Sequence, residues 1–292
     1  MSKYLNVFNT LAEYQAFSAS TEYVQPNVAL VKETNVLYYD YGNNKPQADM
    51  SSYKGEFQDI SVGGDKYGNS AITKINYIPS SVTSLKRAFV NWSSLEEVTC
   101  EIPDGVTDMS YTFTNCTSLV TAPKIPSVVT DMEYTFNGCS RLVNVPVIPN
   151  SVTSMNNTFA NCNSLVNAPV IPDSVTDMSF TFQGCLSLVN VPVIPNSVTN
   201  MNNTFQACFS LVNAPEIPNS VTSMNYIFFG CSSLKEVTFL HTTPPSYNNI
   251  FSDGSKLEAI YVPDESVDAY KTATGWSEFA DKFKPLSSKP TE

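Results

Sequence analysis

From Ile102 to Phe239 the apolar positions recur with one fixed spacing of 23 residues, and polar residues fill the places between them. Each copy opens on an isoleucine (Ile102, Ile125, Ile148, Ile171, Ile194, Ile217), followed by Val four places on and Met seven on. Phe stands eleven on, Cys fourteen on and Leu seventeen on, as in Ile148, Val152, Met155, Phe159, Cys162 and Leu165. A period in the range of about 20–29 residues predicts one coil of chain per repeat and therefore a stacked, solenoid architecture. Each residue type then lies on its own copy in the next coil, so the predicted core is a set of ladders. A single coil buries too little apolar surface to offset the ordering of its backbone, and contacts between neighbours must make up the difference.

The pattern frays at both ends. Ile78 opens a degenerate unit, one residue longer, with Trp92 in the Cys place and Lys86, Arg87, Glu96 and Glu97 adding charge; it reads as the N-terminal edge of the stack. Another unit starts at Leu240, with Phe251 and Leu257 in register and Gly254 in the Cys place, giving eight coils in all. Residues 263–292 are expected to form a C-terminal helical cap, a helix pair or bent helix, with Val267, Tyr270, Trp276, Phe279 and Phe283 covering the last coil. The leading residues 1–75 do not repeat and predict a small α+β module. Thr10 with Glu13 makes a capping-box start for a helix. Short strands are expected at Val28–Val31 and Val36–Tyr39, with one more around Phe57–Val62.

The triplet Leu142, Val145, Val147 resembles the LxxLxL strand of leucine-rich repeats, and the fragments IPNSV, F-x-x-C and C-x-S-L are more specific. Together they resemble the BspA-like leucine-rich repeat family, over residues 78–263. The resemblance implies a leucine-rich repeat solenoid, β with irregular or short helical turns, in residues 76–262. The family is found on bacterial surface adhesins and in gut-bacterial and phage proteins, and the chain itself carries no G-x-S-x-G, Walker or Rossmann motif, so no enzyme is expected. One departure is the Met-Asn-Asn-Thr or Met-Ser-Tyr-Thr run before Phe, where family members often carry Ile-Gly and Ala.

Charge narrows the possible partners. The chain has 292 residues, a formal charge of −11 and only 15% charged residues, which argues against nucleic acid and against an anionic membrane as partners. The opening MSKYLNVFNTLAEYQAFSAS lacks the unbroken apolar core of a signal peptide, so a start at Met1 predicts synthesis and release in a cytoplasm. Six of the seven cysteines share one repeat position, which predicts a buried thiol ladder and neither disulfides nor a metal site. The single histidine, His241, sits in a degenerate coil next to that of Cys231, a pairing better explained by packing. Asp104 with Asp108, and Asp173 with Asp177, are spaced to hold calcium, but the copies between break the carboxylate row and turn-capping is the simpler role. No catalytic residue, cofactor or metal site is expected.

What the repeat is expected to expose is a row Thr121, Asn144, Asn167, Asn190, Asn213 and a second row including Pro146, Pro169 and Pro192. Such a neutral face suits contact with a glycan or a protein, and equally an oligomer interface. The stretch YLNVFNTLAEYQAFSASTEYVQPNVALVKETNVLYYD resembles leading modules on virion proteins of phages infecting gut Bacteroidales. That resemblance implies a virion fibre or decoration protein on head or tail. Residues 1–75 would attach to other virion proteins, a dimer or trimer would form, and the repeats would project toward a host-surface glycan or protein. The alternative is a cell-surface adhesin of bacteria.

Overall fold

The structure is a computed structural model that describes residues 73–75, 78, 82–252 and 256–290, together with the backbone of three short strands nearer the N-terminus. Those strands are β1 (Asn6–Phe8), β2 (Asn27–Val31) and β3 (Val36–Asp40). β1 runs parallel to β2 and β2 antiparallel to β3, so the two strands expected at 28–31 and 36–39 form a pair. The predicted capping-box helix and the strand near Phe57 lie outside the described residues.

The rest is a leucine-rich repeat fold of parallel strands with few helices. β4 (Lys74–Ile75) pairs with β5 (Glu97–Val98), and β6 (Asn213–Ile217) pairs in turn with β7 (Glu236–Phe239) and β8 (Ala259–Val262). Every one of these pairings is parallel and most join residues 23 apart, as Asn213 with Glu236 and Glu236 with Ala259, while the end of β6 joins at 22, as Ile217 with Phe239. Between β5 and β6 the expected LxxLxL strand shrinks to single bridges, Thr121 with Asn144 and Asn167 with Asn190. The cause is proline two positions after each of these residues. It has no N–H to give to the ladder, and even β6 shifts register between Asn213 and Glu216, around Pro215.

Continuity comes instead from a second line of bridges through Ser84, Asp108, Asp131, Ser154, Asp177, Asn200 and Ser223. From here to the Cys position the backbone alternates its donors. The amides of Met109, Tyr111, Phe113 and Asn115 donate to the next coil, at 2.7–2.9 Å. Those of Thr112 and Cys116 turn back on Met109 and Phe113. The alternation needs left-handed residues at Tyr111 and Asn115 (φ 58° and 59°) and at their equivalents in each coil. Asn tolerates this conformation, a tyrosine does not readily, and the inter-coil bonds hold it there. Gly184 (φ +69°) takes this place where coil neighbours carry Asn161 and Ala207, and a Cβ added there would lie 2.5 Å from Asn161 Oδ1, so that amide would have to turn away. The Met-x-x-Thr run that departs from the family has its own purpose. Thr181 is fully buried and its Oγ1 donates to the carbonyls of Met155 (2.9 Å) and Met178 (2.7 Å), linking two coils.

The ladders of apolar side chains form one continuous core from Ile75 to Phe283. Phe89, Phe113, Phe136, Phe159, Phe182, Phe205, Phe228 and Phe251 stack in sequence with ring centroids 5.5–6.1 Å apart. That is the offset-stacked range of separations for aromatic pairs.

The C-terminal segment corrects the expectation of a helix pair. It holds one six-residue helix, α1 (Val267–Thr272), flanked by 3-10 turns, and then returns to the sheet as β9 (Phe283–Pro285), parallel to β8 with Ile260 opposite Phe283. The cap keeps the 23-residue register and replaces the turn ribbon by a helix. Trp276 and Tyr270 are buried beneath it, and Trp276 Nε1 donates to the Pro245 carbonyl at 2.7 Å.

Candidate functional site

The strand side of the repeats presents three side-chain columns to solvent. The amide column is where the sequence put it, with Thr121, Asn144, Asn167, Asn190 and Asn213 all exposed. Its side chains bond along the stack in pairs: Asn144 Nδ2 donates to Thr121 Oγ1 at 3.2 Å and Asn190 Nδ2 to Asn167 Oδ1 at 2.5 Å. The proline column is not where it was expected. Pro146, Pro169 and Pro192 are buried, because a segment held by a single bridge does not keep the period-two alternation of a strand.

The outward residue is the next one. Val147, Val170 and Val193 are 87%, 84% and 88% exposed. A second valine column, Val143, Val166, Val189 and Val212, is exposed on the other side of the amides. Isolated exposed valines are ordinary, but seven in two aligned columns make a patch. Between Lys124 and Glu216 no ionisable side chain stands in these columns. A shallow groove of about 460 Å³ runs along one of them, lined by Val145, Pro146, Val147, Pro169, Val170 and Pro172. The valines were legible as 23-residue recurrences, but the alternation rule gave the outward place to proline.

The residues that look reactive are used by the fold. Each column cysteine is buried and its thiol donates to the phenylalanine carbonyl of the coil before, as Cys162 to Phe136 at 3.2 Å and Cys231 to Phe205 at 3.0 Å. Burial pushes all six thiols up, Cys185 and Cys231 to about 12, so the nucleophilic thiolate is scarce. Asp108 Oδ1 accepts from the amide and hydroxyl of Ser110 (2.8 and 2.7 Å), and Asp177 Oδ1 from the Ser179 amide (2.8 Å). These are side-chain turns two residues long, repeated at Asp131 and Asn200, while Asp104 and Asp173 remain exposed. Among the described residues no three of His, Cys, Asp and Glu gather as a metal site would require.

His241 is buried, and its Nε2 donates to the Val221 carbonyl at 2.7 Å, a role taken in earlier coils by Ser174 on Val152 and Ser197 on Val175. Its Nδ1 is buried without a partner, and burial lowers its pKa from the ordinary 6.5. The unfolded chain therefore takes up a proton near pH 6.5 that the folded chain refuses until lower pH. Stability is expected to fall as pH drops from 7.5 through 6.5 and to level off below the folded pKa. Because this is the only histidine in the chain, urea midpoints of His241→Gln should be nearly flat over the interval where the parent's decline.

With this geometry, the chain belongs to the BspA type leucine rich repeat family, which it matches in six copies over residues 61–181 and 156–273. Among solved structures it is similar to a leucine-rich repeat protein from Bacteroides ovatus, at 25% identity and a TM-score of 0.53. That alignment covers 67% of this chain and 56% of the other, so this chain spans little more than half the length of that relative. It is also similar to a leucine rich cell surface protein from Faecalibacterium prausnitzii, at 20% identity and a TM-score of 0.36, over 74% of this chain and 78% of that one. No curated protein matches it. No helix among the described residues is long and apolar enough to cross a membrane.

Proposed function

We propose that the protein is a non-enzymatic structural component of a tailed-phage virion, a fibre or decoration protein whose repeats project outward and work by contact. The observation that carries the contact reading is the strand face, where exposed valine columns flank exposed amides without a charge between Lys124 and Glu216. Such a composition suits a protein or glycan surface and not an anionic polymer. The resemblance of the leading residues to virion modules supports placing the attachment in 1–75, with the repeats turned toward the host. Membership of the BspA-type family favours a second reading, a bacterial cell-surface adhesin using the same face.

The two differ in where the chain is found. Virions separated from host envelopes and digested for mass spectrometry should carry the chain in the virion fraction. Recovery in the envelope fraction alone would refute the virion reading in favour of the adhesin.

A further inference from the structure

We infer that the strand face is an interface between two copies of this chain, packed face to face with their stacks antiparallel. The inference rests on reading that face as a protein-contact surface, and it names the partner. It comes from the order of charges at the ends of the exposed columns.

The column through Val166 reads, coil by coil, Lys74, Glu97, Val120, Val143, Val166, Val189, Val212, Lys235, Glu258. The column through Val170 reads Glu101, Lys124, Val147, Val170, Val193, Glu216, Phe239. Consider a two-fold axis lying in the interface along the strand direction of the coil that holds Val166 and Val170. It keeps each column facing its own counterpart and reverses the coil order. Val166 and Val170 then meet themselves, and valine meets valine for two coils on either side in the first column. At the flanks Lys124 faces Glu216, Glu97 faces Lys235 and Lys74 faces Glu258. Apart from Glu101, which falls opposite the buried Phe239 at the edge, each charge meets its opposite, and both columns share the same centre. The amide column follows the same centre, with Asn144 opposite Asn190 and Asn167 opposite itself. An isologous contact requires this self-complementarity, and an arbitrary surface patch has no reason to show it.

Other registers are penalised. Moving the axis half a coil toward the N-terminus sets Glu101 against Glu216 and Lys124 against Val193. Moving it a full coil either way covers a charge with valine. Turning the axis along the stack, so that each coil faces its equal, sets Lys124 against Val120 and Glu216 against Val212. One arrangement pairs three sets of opposite charges and leaves only Glu101 at the edge without one, while its neighbours set like charges together or cover Lys124 or Glu216 with valine, which is how a register is specified. The flanking charges already have partners within the chain, Lys74 with Glu97 at 2.7 Å, Lys235 with Glu258 at 2.9 Å and Glu216 with Lys289 at 2.9 Å. In the dimer these pairs meet with their signs crossed, as four-charge clusters at the rim. From Glu97 to Lys235 the face is about 500 Å² per copy, taking ~4.8 Å per coil and ~3.3 Å per residue. That is below the roughly 800 Å² of a standard interface, so the dimer should be a moderate one, formed at micromolar concentrations. A second copy on this face excludes a host surface from it, so dimer formation and host contact compete for the same valines.

Sedimentation of the full chain should show a reversible dimer. Val170→Asp, which sets two carboxylates face to face on the axis, should weaken it by about a hundredfold. Lys124→Glu and Glu216→Lys alone should each weaken it by about tenfold, since each change is felt twice, and the two combined should restore it. Cross-linking decides the case in which residues 1–75 also hold copies together. Under mild oxidation Val170→Cys should give a covalent dimer, Val147→Cys alone should not, and Val147→Cys with Val193→Cys should. These valines are largely exposed, so circular dichroism should show the fold unchanged. A monomer up to roughly 100 µM, a double charge reversal that fails to restore association, or cross-linking by Val147→Cys in place of Val170→Cys would overturn the inference. Fractionation of virions does not sense this interface, so the dimer and the virion reading fail independently.

Discussion

Phe159→Ala is expected to cost about 4–5 kcal/mol, near the top of the range for an aromatic removed from a core. Phe159 has no exposed surface and lies between Phe136 and Phe182, with centroids 5.6 and 5.9 Å away. Removing it breaks two stacking contacts and opens a cavity whose walls are held by backbone bonds on both sides: Phe159 N donates to the Thr181 carbonyl and Phe136 N to that of Thr158. A site braced in this way collapses little, and the cost of a core deletion rises with the cavity that remains. In a one-dimensional stack the loss also weakens coupling between the two halves, so urea unfolding should lose cooperativity as well as midpoint. Val170→Ala, on the exposed strand face, is the control and should change stability by less than about 0.5 kcal/mol.

The other large effect belongs to the cap. Trp276→Ala should cost about 4 kcal/mol by the same class of argument, though the damage is different. Trp276 is fully buried, meets Phe239, Tyr247 and Tyr270 edge to face at 5.2–5.3 Å, and donates its Nε1–H to Pro245. Its loss leaves that carbonyl without its donor and uncovers the apolar end of the last coils. Hydrogen exchange should therefore show β8 and β9 losing protection well before the coils around Phe136. Uniform loss along the stack would mean that the cap does not act locally.

Much of this architecture was legible from spacing alone. Ile, Val, Met, Phe, Cys and Leu recur at fixed offsets, and all six types are buried in ladders because a 23-residue coil returns each side chain to the same place. What spacing does not reveal is how the backbone travels between ladder positions. The left-handed residues at Tyr111, Tyr134 and Phe180 carry no glycine signature, since stacking against the next coil imposes the conformation. The strand was expected to run through Leu142–Val147, but Pro146 gives no N–H, and the continuous bridging shifted to Asp131, Ser154 and Asp177. The same shift turned Pro146 inward and Val147 outward. One helix was visible in the cap as apolar spacing, but β9 was hidden behind aromatic residues that serve a helix or a strand equally well. The candidate face is thus half legible in the sequence: the Asn row lies outward as its spacing predicts, while the prolines turn inward and Val147, Val170 and Val193 outward.

The regularly spaced residues, the cysteines above all, build the core of the stack. A thiol reagent applied to the native protein, with the labelled sites mapped by mass spectrometry, tests this directly. Cys100, only partly buried, should react first. Cys116, Cys139, Cys162, Cys185, Cys208 and Cys231 should stay unlabelled until denaturant unfolds the stack, because each is buried and its pKa is raised. Labelling of several of the six at the rate of Cys100, under conditions where the fold persists, would contradict the account.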